Sequence, residues 1–183
     1  MSRNYKFNNP DGIYFISFAT VEWVDVFTRN EYKNILIESL KHCQAEKGLI
    51  LFAFVIMSNH VHLIAKANEE HSLSDVLRDF KKFTSKAIVK AIKDNPKESR
   101  KDWMLKIFKE AGEKNGNNKN YQFWRQNNRP IHVYSEAVIE QKLDYLHQNP
   151  VKDGIVLFAK DYIYSSAANY AGLKGVLVVK ILE

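Results

Sequence analysis

The apolar positions change period several times along this chain, and each change marks an element. Tyr14–Val21 is a run of aromatic and β-branched residues and predicts a strand. Thr28-x-x-Glu31 reads as a capping box opening a helix to about Glu46, with Tyr32, Leu36, Leu40 and Cys43 on one face and Gly48 as its stop. Leu51–Met57 and His60–Ala67 predict two strands, or one long strand broken near Ser58-Asn59. Ser72-x-x-Asp75 opens a second helix whose buried stripe is Val76, Leu77, Phe80, Phe83, Ala87, Ile88 and Ala91, and Pro96 ends it. A shorter helix starts at Asp102 and turns Trp103, Ile107, Phe108 and Ala111 inward. Gly112–Asn120 has the polar, Gly- and Asn-rich pattern of a mobile loop. Tyr121–Arg125 and Ile131–Tyr134 are spaced to pair as a hairpin. Ser135 caps a third long helix that ends at Gln148 or Asn149, because Pro150 follows. A β-branched run in Lys174–Leu182 suits an edge strand or contact with a second subunit.

The order β-α-β-β-α predicts an α+β fold, an antiparallel sheet with helices packed mainly on one face. Length and a 45% apolar content suit one globular domain over 1–183, with its core at about 12–170 and a tail at 171–183. No apolar run approaches the ~18–20 residues of a membrane span, and no apolar segment follows the first residues as a signal peptide requires. Cys43 stands alone, which excludes an internal disulfide and a cysteine-rich zinc site. A cytoplasmic, nucleoid-associated protein is expected.

Charge sharpens this picture. The net charge is +6, yet residues 78–129 carry 15 Lys and Arg against 6 acidic residues, so the remainder is slightly acidic. Arg78, Lys82, Lys86 and Lys90 recur every four residues and would form a cationic ridge on the second helix. Tyr121, Phe123, Trp124 and Arg125, near Arg129, mix aromatic and basic side chains as a single-strand platform does. A plain solvated lysine surface, with Phe123 or Trp124 in the core, is the simpler account of the same residues.

His60 and His62 carry the clearest chemistry. Residues i and i+2 of a strand share a face, so the two rings would point the same way and could hold one cation. Imidazoles alone do not name the metal. Gln141, Tyr145, Gln148 and Asn149 form a polar row on the third long helix, beside the apolar stripe Val138, Ile139, Leu143 and Leu146. A phenol ordinarily titrates near 10, so it attacks at neutral pH only with a cation or base at hand. Asn149 could add an amide oxygen to the metal or simply cap its helix.

These residues resemble the single-tyrosine HUH transposases, in particular the REP-associated tyrosine transposases and their insertion-sequence relatives. The likeness lies in Phe54–Ile64 with its Ser58-Asn59-His60-Val61-His62, in Phe80-Lys81-Lys82-Phe83-Thr84, in Leu143–Val156 with Tyr145 and Asn149, and in Asp161–Ala167. It implies a ferredoxin-like core whose central strand carries His60 and His62 as ligands of Mg2+ or Mn2+. It further implies Tyr145 as nucleophile toward single-stranded DNA, giving a 5′-phosphotyrosine and a free 3′-hydroxyl, and Asn149 as third metal ligand. Insertion-sequence members tend to have glutamine at that place, so Gln148 is a second candidate for the third ligand. Recognition of a DNA hairpin beside the cleavage site is implied as well, while a homodimer or a monomer both remain open.

The leading expectation is therefore a metal-dependent DNA strand transferase with a tyrosine nucleophile. A catalytically silent DNA-binding protein derived from such an enzyme is the second reading. A metallonuclease in which water attacks and Tyr145 merely packs is the third.

Overall fold

The computed structural model describes residues 7, 9–116, 120–126 and 130–182. Four strands form one antiparallel sheet: β1 (Tyr14–Ala19), β2 (Leu49–Ile56), β3 (His60–Ala67) and the two-residue β4 (Ile131–His132). Their order is β2-β3-β1-β4, as in a ferredoxin-like sheet. The central pair, β1 and β3, sets Ser17 opposite His62 and Ala19 opposite His60. Alternation then gives the sheet one face with Phe15, Ser17, His60 and His62, and another with Phe18.

Three long helices cover the two faces. α1 (Asn30–Glu46) and α2 (Leu73–Asp94) pack on each other, and Phe80 of α2 meets Phe18 at a centroid distance of 5.9 Å. α4 (Glu136–Lys152) lies over the face with the histidines, where its Tyr145 ring reaches Phe15 and His62. The α+β architecture is as the order of elements predicted, with two of the long helices on one face. Tyr32, Leu36, Leu40 and Cys43 are all buried in α1. Burial pushes the Cys43 thiol up to about 11, which suits a packing role.

Several local expectations are corrected. Thr28 does not cap α1; its hydroxyl donates to the Asp25 carbonyl, and the helix opens at Asn30. Ser72 stands at the N-cap of α2 but makes no capping bond through its side chain. Phe83 is 62% exposed, and Thr84 is buried in its place, donating to the Phe80 carbonyl and accepting from Trp124 Nε1. Likewise, in α3 (Lys101–Glu113) Met104 is buried and Trp103 exposed. In both helices the core reaches one position further round than the apolar pattern suggests. The hairpin does not form. Trp124 bridges Thr20, while Ile131 and His132 pair with Phe15 and Tyr14, so both segments run the same way along β1. Of the expected mobile loop, Gly112 and Glu113 belong to α3, and 117–119 lie outside the described residues.

α4 continues through Pro150 to Lys152. Its cap is as expected, with Ser135 accepting from the Val138 N–H. Proline costs one backbone hydrogen bond, but beyond it the turn closes through Asp153 N–H to the Asn149 carbonyl and Ile155 N–H to that of Pro150. Pro150 itself is buried.

β2 lies at the end of the sheet, yet its outer side is not open. Phe54 and Ile56 exchange backbone bonds with Ser166 and Tyr164, the Lys180 N–H donates to the Leu51 carbonyl, and the Tyr162 hydroxyl donates to that of Ile56 at 2.6 Å. The segment after α4 and the tail thus seal the strand that would otherwise be free to pair with another chain. No helix among the described residues is long and apolar enough to cross a membrane.

Candidate active site

His60 and His62 do share a face, with ring centroids 4.8 Å apart. His62 is 6% exposed, and its Nδ1 meets the Ser17 hydroxyl at 2.6 Å across the β1–β3 ladder. Its Nε2 is buried without a hydrogen-bond partner. Burial, then the neighbouring His60 and Lys142, push its pKa down to about 3, so the ring is neutral. His60 is also shifted down by burial, against an opposing pull from Asp153.

A tight turn aims His60. Asn59 Oδ1 lies 2.8 Å from His60 Nδ1, and Asn59 Nδ2 donates to the Asp25 carboxylate at 3.0 Å and to the Trp23 carbonyl. The Ser58 hydroxyl donates to the same carboxylate oxygen. Asp25 in turn is held through its carbonyl by Arg100, which pairs with the buried Glu98. A relay of this kind places a proton on Nδ1 and leaves the Nε2 lone pair as a ligand.

Tyr145 stands on α4 with its ring 5.3 Å from that of His62 and 6.0 Å from that of Phe15. The residue is 43% exposed, so the side chain is accessible to a substrate. Lys152 lies 6.0 Å from the Tyr145 ring and Lys142 lies 5.3 Å from the Phe15 ring, which makes this end of the face positive. Asn149, one turn on, donates its Nδ2 to the Tyr145 carbonyl at 2.7 Å and keeps its amide oxygen as an acceptor. Gln148 is half-buried. His147 points elsewhere: its Nε2 meets the Ser166 hydroxyl at 2.9 Å, and burial first, against Asp144, leaves it near 4 and neutral.

The donor set fits a divalent cation. Two neutral imidazoles lie side by side, and one has a buried nitrogen that nothing in the protein satisfies. No cluster of three His, Cys, Asp or Glu occurs among the described residues. Among the described residues, an amide or a hydroxyl is thus the kind of side-chain donor left to join the two imidazoles.

The cationic residues divide. Arg78 is paired with Asp75 and Asp79, and Lys90 with Asp94. Lys82 and Lys86 are exposed and form no ion pair among the described residues. Phe123 and Trp124 are core, packing on Phe27. Arg125 is exposed, with its guanidinium 5.0 Å from the Trp23 ring, and Arg129 lies outside the described residues. Sequence reasoning missed Ser17, Trp23, Asp25, Lys142 and Lys152. Lys142 and Lys152 stand three before and seven after Tyr145, a helical spacing that could have found them. Ser17 and Asp25 meet the histidine strand only through tertiary pairing.

Residues 13–126, well over half of the chain, match the family model of the IS200-like transposases; Tyr145 and Asn149 lie beyond the matched stretch. A REP-associated tyrosine transposase bound to a REP hairpin has a similar fold, with a TM-score of 0.66 at 16% identity over 100% of this chain and 94% of that one. A crystal structure of a candidate transposase from Deinococcus radiodurans R1 aligns with a TM-score of 0.45 at 20% identity, over 81% of this chain and 95% of that one. No curated protein sequence matches. The chain belongs to the IS200-like transposase family.

Proposed function

We propose that this protein cleaves and rejoins single-stranded DNA at hairpin-flanked sites, with Tyr145 as the nucleophile. The observation that carries this reading is the edge-on contact of the Tyr145 and His62 rings beside the unpartnered His62 Nε2. Family membership and the fold shared with a hairpin-bound transposase support it.

In this reading His60 and His62 hold Mg2+ or Mn2+, with Asn149 as third ligand and Gln148 as the alternative. Such an ion, when bound, polarises the scissile phosphate and stabilises charge on the departing oxygen. The Tyr145 oxygen forms a bond to phosphorus, and the phenolic proton passes to the solvent that this exposed side chain meets. The bond from phosphorus to the 3′-oxygen breaks, and that oxygen leaves with the electron pair and gains a proton as a free 3′-hydroxyl. Lys152 adds positive potential where phenolate charge develops. Attack by another strand's 3′-hydroxyl on the phosphotyrosine reverses the step and rejoins DNA without ATP. Lys82, Lys86 and Arg125 supply phosphate contacts that give affinity with little sequence choice.

The test is a denaturing protein gel after incubation with labelled hairpin DNA bearing single-stranded flanks, with Mn2+ or Mg2+. A shifted band that is lost in Tyr145→Phe and His60→Ala supports the reading. Binding without cleavage would instead identify a silent DNA-binding protein, and cleavage without the shifted band a water-dependent nuclease.

A further inference from the structure

Trp23 has no place in the chemistry above, yet its position is costly. Glu22 and Trp23 are consecutive non-glycine residues in the left-handed region, with φ of 50° and 55°. A bulky side chain is an outlier there, and such strain persists only where the surroundings impose it. Here they do. The Thr20 N–H and hydroxyl both donate to the Asn59 carbonyl, the Val21 N–H donates to that of Phe123, the Phe27 N–H to that of Ser58, and Asn59 Nδ2 to the carbonyl of Trp23 itself. The strained turn and the histidine turn are clasped as one unit.

What this geometry presents is an indole beside the candidate metal site. Trp23 is 53% exposed, and its ring is edge-on to that of His60 at 6.0 Å. The Arg125 guanidinium lies 5.0 Å from the indole centroid, and its backbone is pinned by its own N–H to the Ala19 carbonyl and by Lys81 Nζ to the Arg125 carbonyl. Tyr145, His62, His60, Trp23 and Arg125 therefore form an unbroken row of ring contacts. Strand register places its ends apart. Tyr145 reaches His62 and Phe15, whose partner Ile64 lies further along β3, whereas Trp23 follows the end of β1 that pairs with His60.

We infer that Trp23, with Arg125 beside it, is the stacking platform for an unpaired base of the DNA strand, that of the nucleotide whose 3′-oxygen leaves. The assignment of side rests on the reading proposed above. In phosphoryl transfer the attacking and leaving oxygens lie in line, so a phosphate at the histidines attacked from the Tyr145 end releases its nucleotide toward the Trp23 end. An aromatic face with a guanidinium is the sequence-tolerant way to hold a single-stranded base. Stacking there keeps the released 3′-hydroxyl beside the phosphotyrosine for the joining step.

The experiment measures affinity for fluorescent hairpin DNA with a single-stranded flank, in which one abasic site is moved along the flank. Wild type is compared with Trp23→Asn, since asparagine accepts the left-handed turn without an indole, and with Trp23→Phe. Expected is a loss of about five- to a hundredfold for wild type at one abasic position. Trp23→Asn loses a similar factor on intact DNA and nothing more at that position, and Trp23→Phe restores most of it. Losses that multiply, or unchanged binding by Trp23→Asn, overturn the platform. The gel assay on the same DNA keeps the two readings apart. A platform without a covalent adduct defeats the Tyr145 chemistry alone, an adduct with multiplying losses defeats the platform alone, and a sensitive position other than the one just 5′ of the cut overturns the side assigned.

Discussion

The Tyr145 ring meets the His62 ring edge-on, with centroids 5.3 Å apart and planes at 67°. The ring rather than the hydroxyl makes this contact, and such pairs contribute about 0.5–1.5 kcal/mol beyond the area they bury. Tyr145→Phe is therefore expected to melt within a degree or two of wild type while losing adduct formation by at least about a thousandfold. Tyr145→Ala, which also loses the packing, is expected to melt lower. Thermal melts beside the denaturing gel check this, and a phenylalanine variant that still forms adduct would remove Tyr145 from the chemistry.

Asp25 touches neither histidine, yet one of its carboxylate oxygens accepts from both Ser58 and Asn59. Asn59 is in turn the partner of His60 Nδ1. Removing this carboxylate leaves the Asn59 amide held by the Trp23 carbonyl alone and loosens the His60 ring tilt and tautomer that depend on it. Asp25→Ala is expected to weaken Mn2+ binding by about 10–100-fold, measured by calorimetry on the folded variant. Asp25→Asn keeps one acceptor and should fall between. Equal Mn2+ affinity in all three proteins would show that the relay does not position His60.

Glu98 anchors the other end of that network with a side chain that is 0% exposed, paired with Arg29 at 2.8 Å and Arg100 at 2.9 Å. The hydrogen bonds from Arg100, more than its charge, hold the carboxylate at about 2 despite burial. Below the ordinary value near 4.5 the unfolded chain takes up a proton that the folded one refuses. The stabilisation is thus complete above that pH and is lost as the solution is acidified toward pH 2. Glu98→Gln leaves two partly exposed guanidinium groups without their charged partner and is expected to cost about 1–3 kcal/mol at pH 7. Urea unfolding at pH 7, 4 and 3 should show the gap to wild type narrowing with acid. A constant gap would place the acid sensitivity elsewhere.

His62 owes its place to local strand alternation, whereas Asp25 owes its place to tertiary contact. His60 and His62 follow from strand alternation, a local rule, and the α+β order follows from successive periods. Phe83 and Trp103 face outward because a helix face is set by which elements cover it, and here Thr84 and Met104 turn inward to meet Trp124 and the core. Pro150 predicts a stop because its missing N–H is a local fact, whereas its burial is a tertiary one. Ser17, Asp25 and Trp23 reach the site only through β1–β3 register and the clasp at Asn59, separations of 45, 34 and 36 residues that no periodicity encodes.

The ridge on α2 offers the last test, because its four cations are not equivalent. Arg78 and Lys90 already neutralise Asp75, Asp79 and Asp94, so a phosphate must compete with those carboxylates for them. Lys82 and Lys86 carry no such partner among the described residues and can release a counterion fully. Each phosphate contact contributes about 0.7–0.9 to the slope of log affinity against log salt. Lys82→Ala and Lys86→Ala are each expected to flatten that slope by about that much, and Lys90→Ala by less than half of it. Titrations of hairpin DNA at several salt concentrations decide the matter. Three equal slope changes would mean that the ion pairs open on binding and the ridge acts as a whole, and no change in any would move the DNA off this helix.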